Sequence, residues 1–217
     1  VKTEADENYL KEIYALELDH TQVSTSMLAE RFGYSPATVT GMLKKLAGKG
    51  WVAYEPYRGV TLTESGRNIA VEVIRHHRLL ETYLFKELEV PWERAHEEAE
   101  RLEHALSEYL EERIDEVLGH PTVNPYGAPI PTLAGKVVNP VRLRLSDLAI
   151  GDHAEIVEID DQKPALLAYL GQMQLYPLAE FTVTAIEPFD GLITILVSGR
   201  THTLGKTSAA QIIVRKL

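Results

Sequence analysis

Apolar positions recur at helical spacing through roughly the first half of the chain, then give way to short β-branched runs. Residues 6–20 (DENYLKEIYALELDH) place Tyr9, Leu10, Ile13, Leu16 and Leu18 at mostly helical intervals and predict a first helix. A second, short helix is expected over 25–32, with Ser24 or Thr25 as its N-cap. Gly33-Tyr34-Ser35 reads as a tight turn. Ser35-Pro36 then opens a third helix, with Ser as cap and Pro at the first helical position, and Gly48 and Gly50 mark its end. WVAYEPYRGVTLT reads as two strands around a hairpin tip at Arg58-Gly59. Helix, helix, turn, helix, hairpin is the winged helix-turn-helix order.

From Glu64 to Leu88 the pattern predicts one long helix or two nearly continuous ones, broken at Val90-Pro91. Trp92 to Leu118 reads as a single further helix, stopped by Gly119-His120-Pro121. Residues 119–140 are rich in Pro and Gly and read as loop and linker. Beyond Pro140, VRLRL, HAEIVEI, FTVTAIE, LITILVS and QIIVRK read as five short strands, interrupted by a small helix at ALLAYLGQM. Strands of that number and length suit a small SH3-like barrel. The fold class is therefore mainly α with a small β domain. The expected domains are a winged helix-turn-helix at 1–74, a helical dimerisation and metal-binding domain at 75–131, a linker at 132–140, and an SH3-like domain at 141–217.

Composition narrows the chemistry. With no cysteine, disulfides, thiolate zinc fingers and cysteine catalysis are excluded. No stretch has the length of a transmembrane helix and no signal pattern opens the chain, so it reads as soluble and cytoplasmic. The net charge of -10 is uneven. Residues 76–135 hold 13 acidic against 5 basic side chains, a net of -8, which leaves the winged-helix and barrel regions near neutrality. That acid excess suits either a solvated helix face or carboxylates gathered for cations.

The third helix presents small side chains at its start, Ala37, Thr38, Thr40 and Gly41 after Ser35 and Pro36. Small residues let a helix sit deep in the major groove, where methyl groups meet thymine methyls and the helix N-terminus meets phosphate. Lys44, Lys45 and Lys49 suit backbone charge, and Arg58 at the wing tip suits a groove or phosphate contact. No early position offers Arg, Asn or Gln for a bidentate base contact, so specificity is expected to lean on methyl contacts and DNA shape. The alternative use of such an element is a protein contact.

The second chemical signal is His96, Glu100, Glu103 and His104. On one continuous helix these offsets fall on a single stripe, so two imidazoles and two carboxylates point the same way. His77 and Glu81 form an i, i+4 pair one helix upstream. Nitrogen and oxygen donors without sulfur favour Mn(II), Fe(II), Co(II) or Ni(II), carboxylate-rich sites favour six-coordinate Mn(II) or Fe(II), and Zn(II) binds almost any such set. Glu97 and Glu98 project off the stripe and read as solvated. His76 is expected to be exposed and His120 structural. His20, His153 and His202 carry no partner pattern.

The segments ENYLKEIYALE, SPATVTGMLKKL, YRGVTLTESGR, HHRLLETYL, AHEEAERLEH and HPTVNPYGAPIP, in this order and spacing, resemble the diphtheria toxin repressor family of metal-dependent transcriptional regulators. The family includes iron- and manganese-dependent repressors, and the resemblance spans the whole chain. It implies a homodimer of the three-domain type on a palindromic double-stranded operator. It also implies an ancillary metal site at His77, Glu81 and His96, and a primary site at Glu100, Glu103 and His104. Position 100 is Cys in iron-type members and Glu in manganese-type members, so Glu100 implies Mn(II) first and Fe(II) second, with Zn(II), Co(II) or Cd(II) able to occupy the site in vitro.

Two departures from the family pattern stand out. Asn8, a weaker ligand through its amide oxygen, stands where the first helix supplies Met or Asp, and Lys11 where manganese-type members have Glu, so Asp6, Glu7, Glu12, a backbone carbonyl or water are candidates to compensate. In the barrel, Gln162 and Ala165, with Asp160 and Asp161 nearby, stand where some members offer Glu and Gln. The resulting expectation is a regulator that represses metal-uptake genes when metal-bound. The rivals are a winged-helix regulator of small-molecule response and a metalloenzyme. Against the enzyme, residues 96–100 read HEEAE rather than HExxH, and neither a nucleophile elbow nor a glycine-rich phosphate loop is present.

Overall fold

The computed structural model describes residues 2–137, 143–160, 163–189 and 191–217. It divides into two compact units. The first comprises Val1–His76, Glu103–Leu106 and Pro131–Lys136, and the second His77–Leu102, Ser107–Ile130 and Val137–Leu217. The far end of the expected linker and the start of the VRLRL strand lie outside the described residues, as do Asp161 and Gln162. No helix among the described residues is long and apolar enough to cross a membrane.

In the first unit, helix α1 (Glu4–Asp19) starts at a capping box in which Thr3 and Asp6 satisfy each other's backbone. It buries Tyr9, Leu10, Ile13 and Tyr14. Helix α2 (Thr25–Phe32) is capped by Ser24 and ends on Gly33, whose φ of 66° is the left-handed conformation that a side chain disfavours. Helix α3 (Pro36–Gly48) has the expected Ser35 cap and Pro start, and buries Val39, Leu43 and Leu46 at i, i+4, i+7. Full burial of such side chains contributes roughly 1.5–3 kcal/mol each, which fixes the opposite face of α3 outward. Strands β1 (Val52–Glu55) and β2 (Gly59–Leu62) form the antiparallel wing, Val52 facing Leu62 and Glu55 facing Gly59. Helix α4 (Glu64–Lys86) begins in this unit and ends in the second.

The second unit continues with α5 (Trp92–Leu102) and α6 (Glu108–Val117). The single helix expected from Trp92 to Leu118 is broken here. Glu103–Ala105 form a 3-10 turn, and Ser107 caps a new helix by accepting from the Leu110 backbone N–H. Glu108 and Glu111 in the first turn complement the helix dipole, a start signal that the apolar periodicity had masked.

Among the described residues the β region has six strands rather than five: β3 (Leu143–Arg144), β4 (His153–Ile159), β5 (Glu180–Ile186), β6 (Ile193–Val197), β7 (Arg200–Leu204) and β8 (Ile212–Lys216). All pair antiparallel in the order β3-β8-β4-β5-β6-β7. Strand β7, RTHTL, escaped the sequence reading because only its last residue is buried. It follows β6 through Ser198 and Gly199, both at positive φ, as a two-residue hairpin turn requires. Helices α7 (Pro164–Gln172) and α8 (Lys206–Ala209) cover the sheet. Trp92, at the start of α5, belongs to the same apolar core as Phe181, Ile195 and Leu167. Its ring stacks on Tyr126, and the Tyr126 hydroxyl donates to the Trp92 carbonyl at 2.7 Å.

Candidate metal centre and DNA-reading surface

The last turns of α4 and the middle of α5 bring His77, Glu81, His96 and Glu100 together. His77 and Glu81 share one face of α4 by their i, i+4 spacing, as His96 and Glu100 do on α5. Glu81 Oε1 lies 2.7 Å from His77 Nε2 and 3.0 Å from His96 Nδ1, and the two nitrogens lie 3.0 Å apart. Glu81 is fully buried. Burial alone pushes its carboxyl up, but the imidazoles of His77 and His96 outweigh this and hold it well below the usual carboxylate range. Its other oxygen accepts from Asn124 Nδ2 at 2.6 Å. Glu100 approaches the opposite edges of the rings, 3.8 Å from His77 Nδ1 and 3.9 Å from His96 Nε2.

The donor set fits a divalent cation. Two ring nitrogens and one carboxylate oxygen meet pairwise, and protons alone serve such a triangle poorly. If both nitrogens donate to Glu81, two N–H groups face each other, and if one does not, its lone pair meets the oxygen's. A cation satisfies all three lone pairs at once. Ligands about 2.1 Å from an ion stand about 3.0 Å apart along an octahedral edge and about 3.4 Å along a tetrahedral one. The observed 2.7–3.0 Å matches the octahedral edge.

Glu103 and His104 lie in the 3-10 turn and belong, with α1, to the first unit. Glu100 groups with His77 and His96 in the second. His104 Nδ1 lies 2.7 Å from Glu7 Oε2, and its Nε2 lies 2.9 Å from Asn8 Oδ1 and 3.3 Å from Glu103 Oε1. Of the residues expected to compensate for Asn8, Glu7 reaches His104. Asp6 instead pairs with Lys45 and Lys49, and Glu12 with Arg31. Lys11 bonds Glu103 Oε1 at 2.6 Å. His76 is buried rather than exposed, its Nδ1 3.3 Å from the Glu103 carbonyl, because the 103–105 turn packs over it.

The remaining candidates fall elsewhere. His120 sits at positive φ beside Asp115, Glu97 and Glu98 pair with Arg101, and Asp160 lies 3.8 Å from Lys163. Ala165 is exposed in the first turn of α7. The sequence reading missed Asn124. Its signal was a polar residue inside an otherwise apolar, Pro-rich loop, whose side-chain oxygen accepts from the Tyr126 and Ala128 backbone N–H groups. Gly127 lets that loop pass close to β4. Its φ is 87°, and a Cβ there would stand 1.8 Å from the Val157 carbonyl oxygen.

Residues 2–60 match the iron dependent repressor N-terminal DNA binding domain, 63–132 the iron dependent repressor metal binding and dimerisation domain, and 143–216 the FeoA domain. The chain is 33% identical to the iron-dependent repressor IdeR of Mycobacterium tuberculosis, over 97% of this chain and 96% of that protein. The chain belongs to the iron-dependent repressor family. Within this diphtheria toxin repressor group it acts as a metal-dependent, DNA-binding transcriptional repressor. It is also 33% identical to the diphtheria toxin repressor of Corynebacterium efficiens, over 76% of this chain and 77% of that one. Among solved structures, a manganese-dependent transcriptional repressor in complex with manganese superposes with a TM-score of 0.92 at 39% identity, covering 98% of this chain and 100% of that one. The manganese regulator SloR superposes at 0.81 and 32% identity, covering 98% of each chain.

In this repressor the outward face of α3 carries Pro36, Ala37, Thr38, Gly41 and Lys44, with Thr40 half-buried at its edge. Ser35 Oγ accepts from the Thr38 backbone N–H at 3.2 Å, and the two hydroxyls lie 2.9 Å apart. Lys45 and Lys49 are engaged by Asp6, so of the three lysines expected to serve phosphate, Lys44 is the one no carboxylate in the described residues holds. Arg58 is exposed at the wing and pairs with Glu55 at 3.3 Å. Beside it Tyr57, at positive φ, is fully exposed.

Proposed function

We propose that this chain is a Mn(II)-responsive repressor, with Fe(II) as its second ion, that binds palindromic operator DNA as a homodimer and shuts off metal-uptake genes. The observation that carries the choice of ion is the octahedral-edge spacing of His77 Nε2, Glu81 Oε1 and His96 Nδ1, an oxygen- and nitrogen-only set with Glu100 at its rim. His77, Glu81, His96 and Glu100 would hold the ion. Bound there, it supplies fixed positive charge that cross-links the end of α4 to α5. Zn(II), Co(II) and Cd(II) fit the same donors less selectively.

The homodimer reading is supported by the match to a dimerisation domain and by Leu110 and Val117, which are exposed two turns apart on α6. Two copies of α3 then meet successive major grooves about 34 Å apart, with Ser35, Pro36, Ala37, Thr38, Thr40 and Lys44 on the groove and Arg58 at the wing. A regulator of chromosomal DNA works in the cytoplasm of a bacterial or archaeal cell. Metal needs only a differential affinity for the DNA-competent state. Couplings of about 1–3 kcal/mol are usual, and by linkage DNA tightens metal binding equally.

The test is fluorescence anisotropy on promoter DNA of metal-uptake genes, with metal-free protein, Mn(II), anaerobic Fe(II), Zn(II), Co(II) and Cd(II). Tight binding only with metal, strongest with Mn(II) or Fe(II) and lost in Glu100→Ala, is the expected result. Equal binding with and without metal would overturn the reading.

A further inference from the structure

The cluster beside α1 already holds a cation of its own. Three side chains there offer donors to a common place: Asn8 Oδ1 and Glu103 Oε1, 2.9 and 3.3 Å from His104 Nε2. The fourth is Lys11, one turn beyond Asn8 on α1, with its ammonium 2.6 Å from Glu103 Oε1. The pair is secluded, since the Glu103 side chain is fully buried and that of Lys11 is 11% exposed. An ammonium has three protons to donate and no lone pair, so it cannot ligate an ion. It also repels one. An ion about 2.1 Å from Glu103 Oε1 would lie within about 5 Å of Lys11 Nζ, and in a secluded site like charges at that range interact strongly.

The buried carboxylate of the other cluster, Glu81, is held by two imidazoles and the Asn124 amide, and no Lys or Arg among the described residues pairs with it. The two buried carboxylates, Glu103 and Glu81, therefore differ in the charge a divalent ion would meet.

We infer that Lys11 is the resident cation of the α1 cluster, and that each chain takes a single divalent ion tightly, at His77, Glu81, His96 and Glu100. The inference rests on the proposed metal response. Lys11 ties α1 to the Glu103–Ala105 turn, and the Glu103 carboxylate opens to a divalent ion only when that ammonium is removed.

The experiment is a Mn(II) titration of the full chain, with free ion counted by electron paramagnetic resonance. The variants are Lys11→Gln, His96→Ala, and Lys11→Gln combined with His104→Ala, each checked for folding by circular dichroism. Wild type should bind one tight equivalent, lost in His96→Ala. Lys11→Gln should gain a second equivalent at least tenfold tighter than any weak binding left in wild type, and the double variant should lose it again. Two tight equivalents in wild type, or one equivalent unchanged in folded Lys11→Gln, would overturn the inference. Should Lys11→Gln not fold, the wild-type count still decides it. Wild type that takes no Mn(II) at all would instead overturn the metal response itself, along with what is built on it.

Discussion

Replacing Asn124 by Ala should weaken metal binding at a distance from the metal-facing atoms. Asn124 donates to Glu81 Oε2 at 2.6 Å, so that Oε1 stays turned toward His77 and His96. Its own oxygen accepts from Tyr126 N at 3.1 Å and Ala128 N at 2.8 Å. A hydrogen bond to a buried carboxylate contributes about 1.5–3 kcal/mol, and each neutral one about 0.5–1.5 kcal/mol. The metal-free variant should therefore lose about 2.5–6 kcal/mol of stability. Groups that orient ligands typically change metal affinity by about 10–100-fold, so Mn(II) should bind about 1.4–2.7 kcal/mol more weakly. Tyr126→Phe serves as the control. It removes the bond to the Trp92 carbonyl and loosens the same loop without touching Glu81. Calorimetric titration with Mn(II), paired with thermal melts, separates the two effects. Asn124→Ala should lower both the melting temperature and the affinity, and Tyr126→Phe only the former. If Asn124→Ala melts early yet binds Mn(II) like wild type, the amide merely shapes the loop and the orienting role is wrong.

Glu81→Gln keeps shape but removes the buried negative charge, and should cost at least about a hundredfold in Mn(II) affinity by titration, well beyond the usual effect of an orienting group. Asp6 is buried, which raises its carboxyl, but Lys49, Thr3 and Lys45 outweigh this and hold it below the usual range. Its contribution to stability is therefore complete above the unfolded value near pH 4 and fades as pH falls through the lower folded value. Melts from about pH 6 to about pH 2 should show Asp6→Asn less stable than wild type at the upper end and converging with it in acid. A constant gap across that range would contradict the assignment. Lys44→Ala should weaken operator binding about equally for all sequences and lower the salt slope by about one unit in anisotropy titrations. Lys45→Ala, whose wild-type side chain is held by Asp6, should change the slope less and the melting temperature more.

The helices of the first unit were legible because their signals are local. Ser24, Ser35, Pro36 and Gly33 act on backbone groups within four residues, and Val39, Leu43 and Leu46 declare a buried face by spacing alone. The pairs His77/Glu81 and His96/Glu100 were legible for the same reason, since each lies within one turn of an unbroken helix. The continuous helix expected through His96 to His104 ended where that condition failed, at the turn before Ser107. Strand β7 was missed because its Arg, Thr and His residues carry no apolar alternation, and its place in the sheet comes from pairing with β6.

The sequence by itself determined the order of elements, the donor types and therefore the class of ion, because these depend on local periodicity, capping and ligand chemistry. Tertiary structure decided which donors share a site. Glu103 meets Lys11 and His104 meets Glu7 across more than ninety positions, and Asn124 meets Glu81 across 43. Such meetings follow from how helices and loops pack, and packing is settled by apolar burial summed over a whole unit. The residues that bear the charge have little say in it.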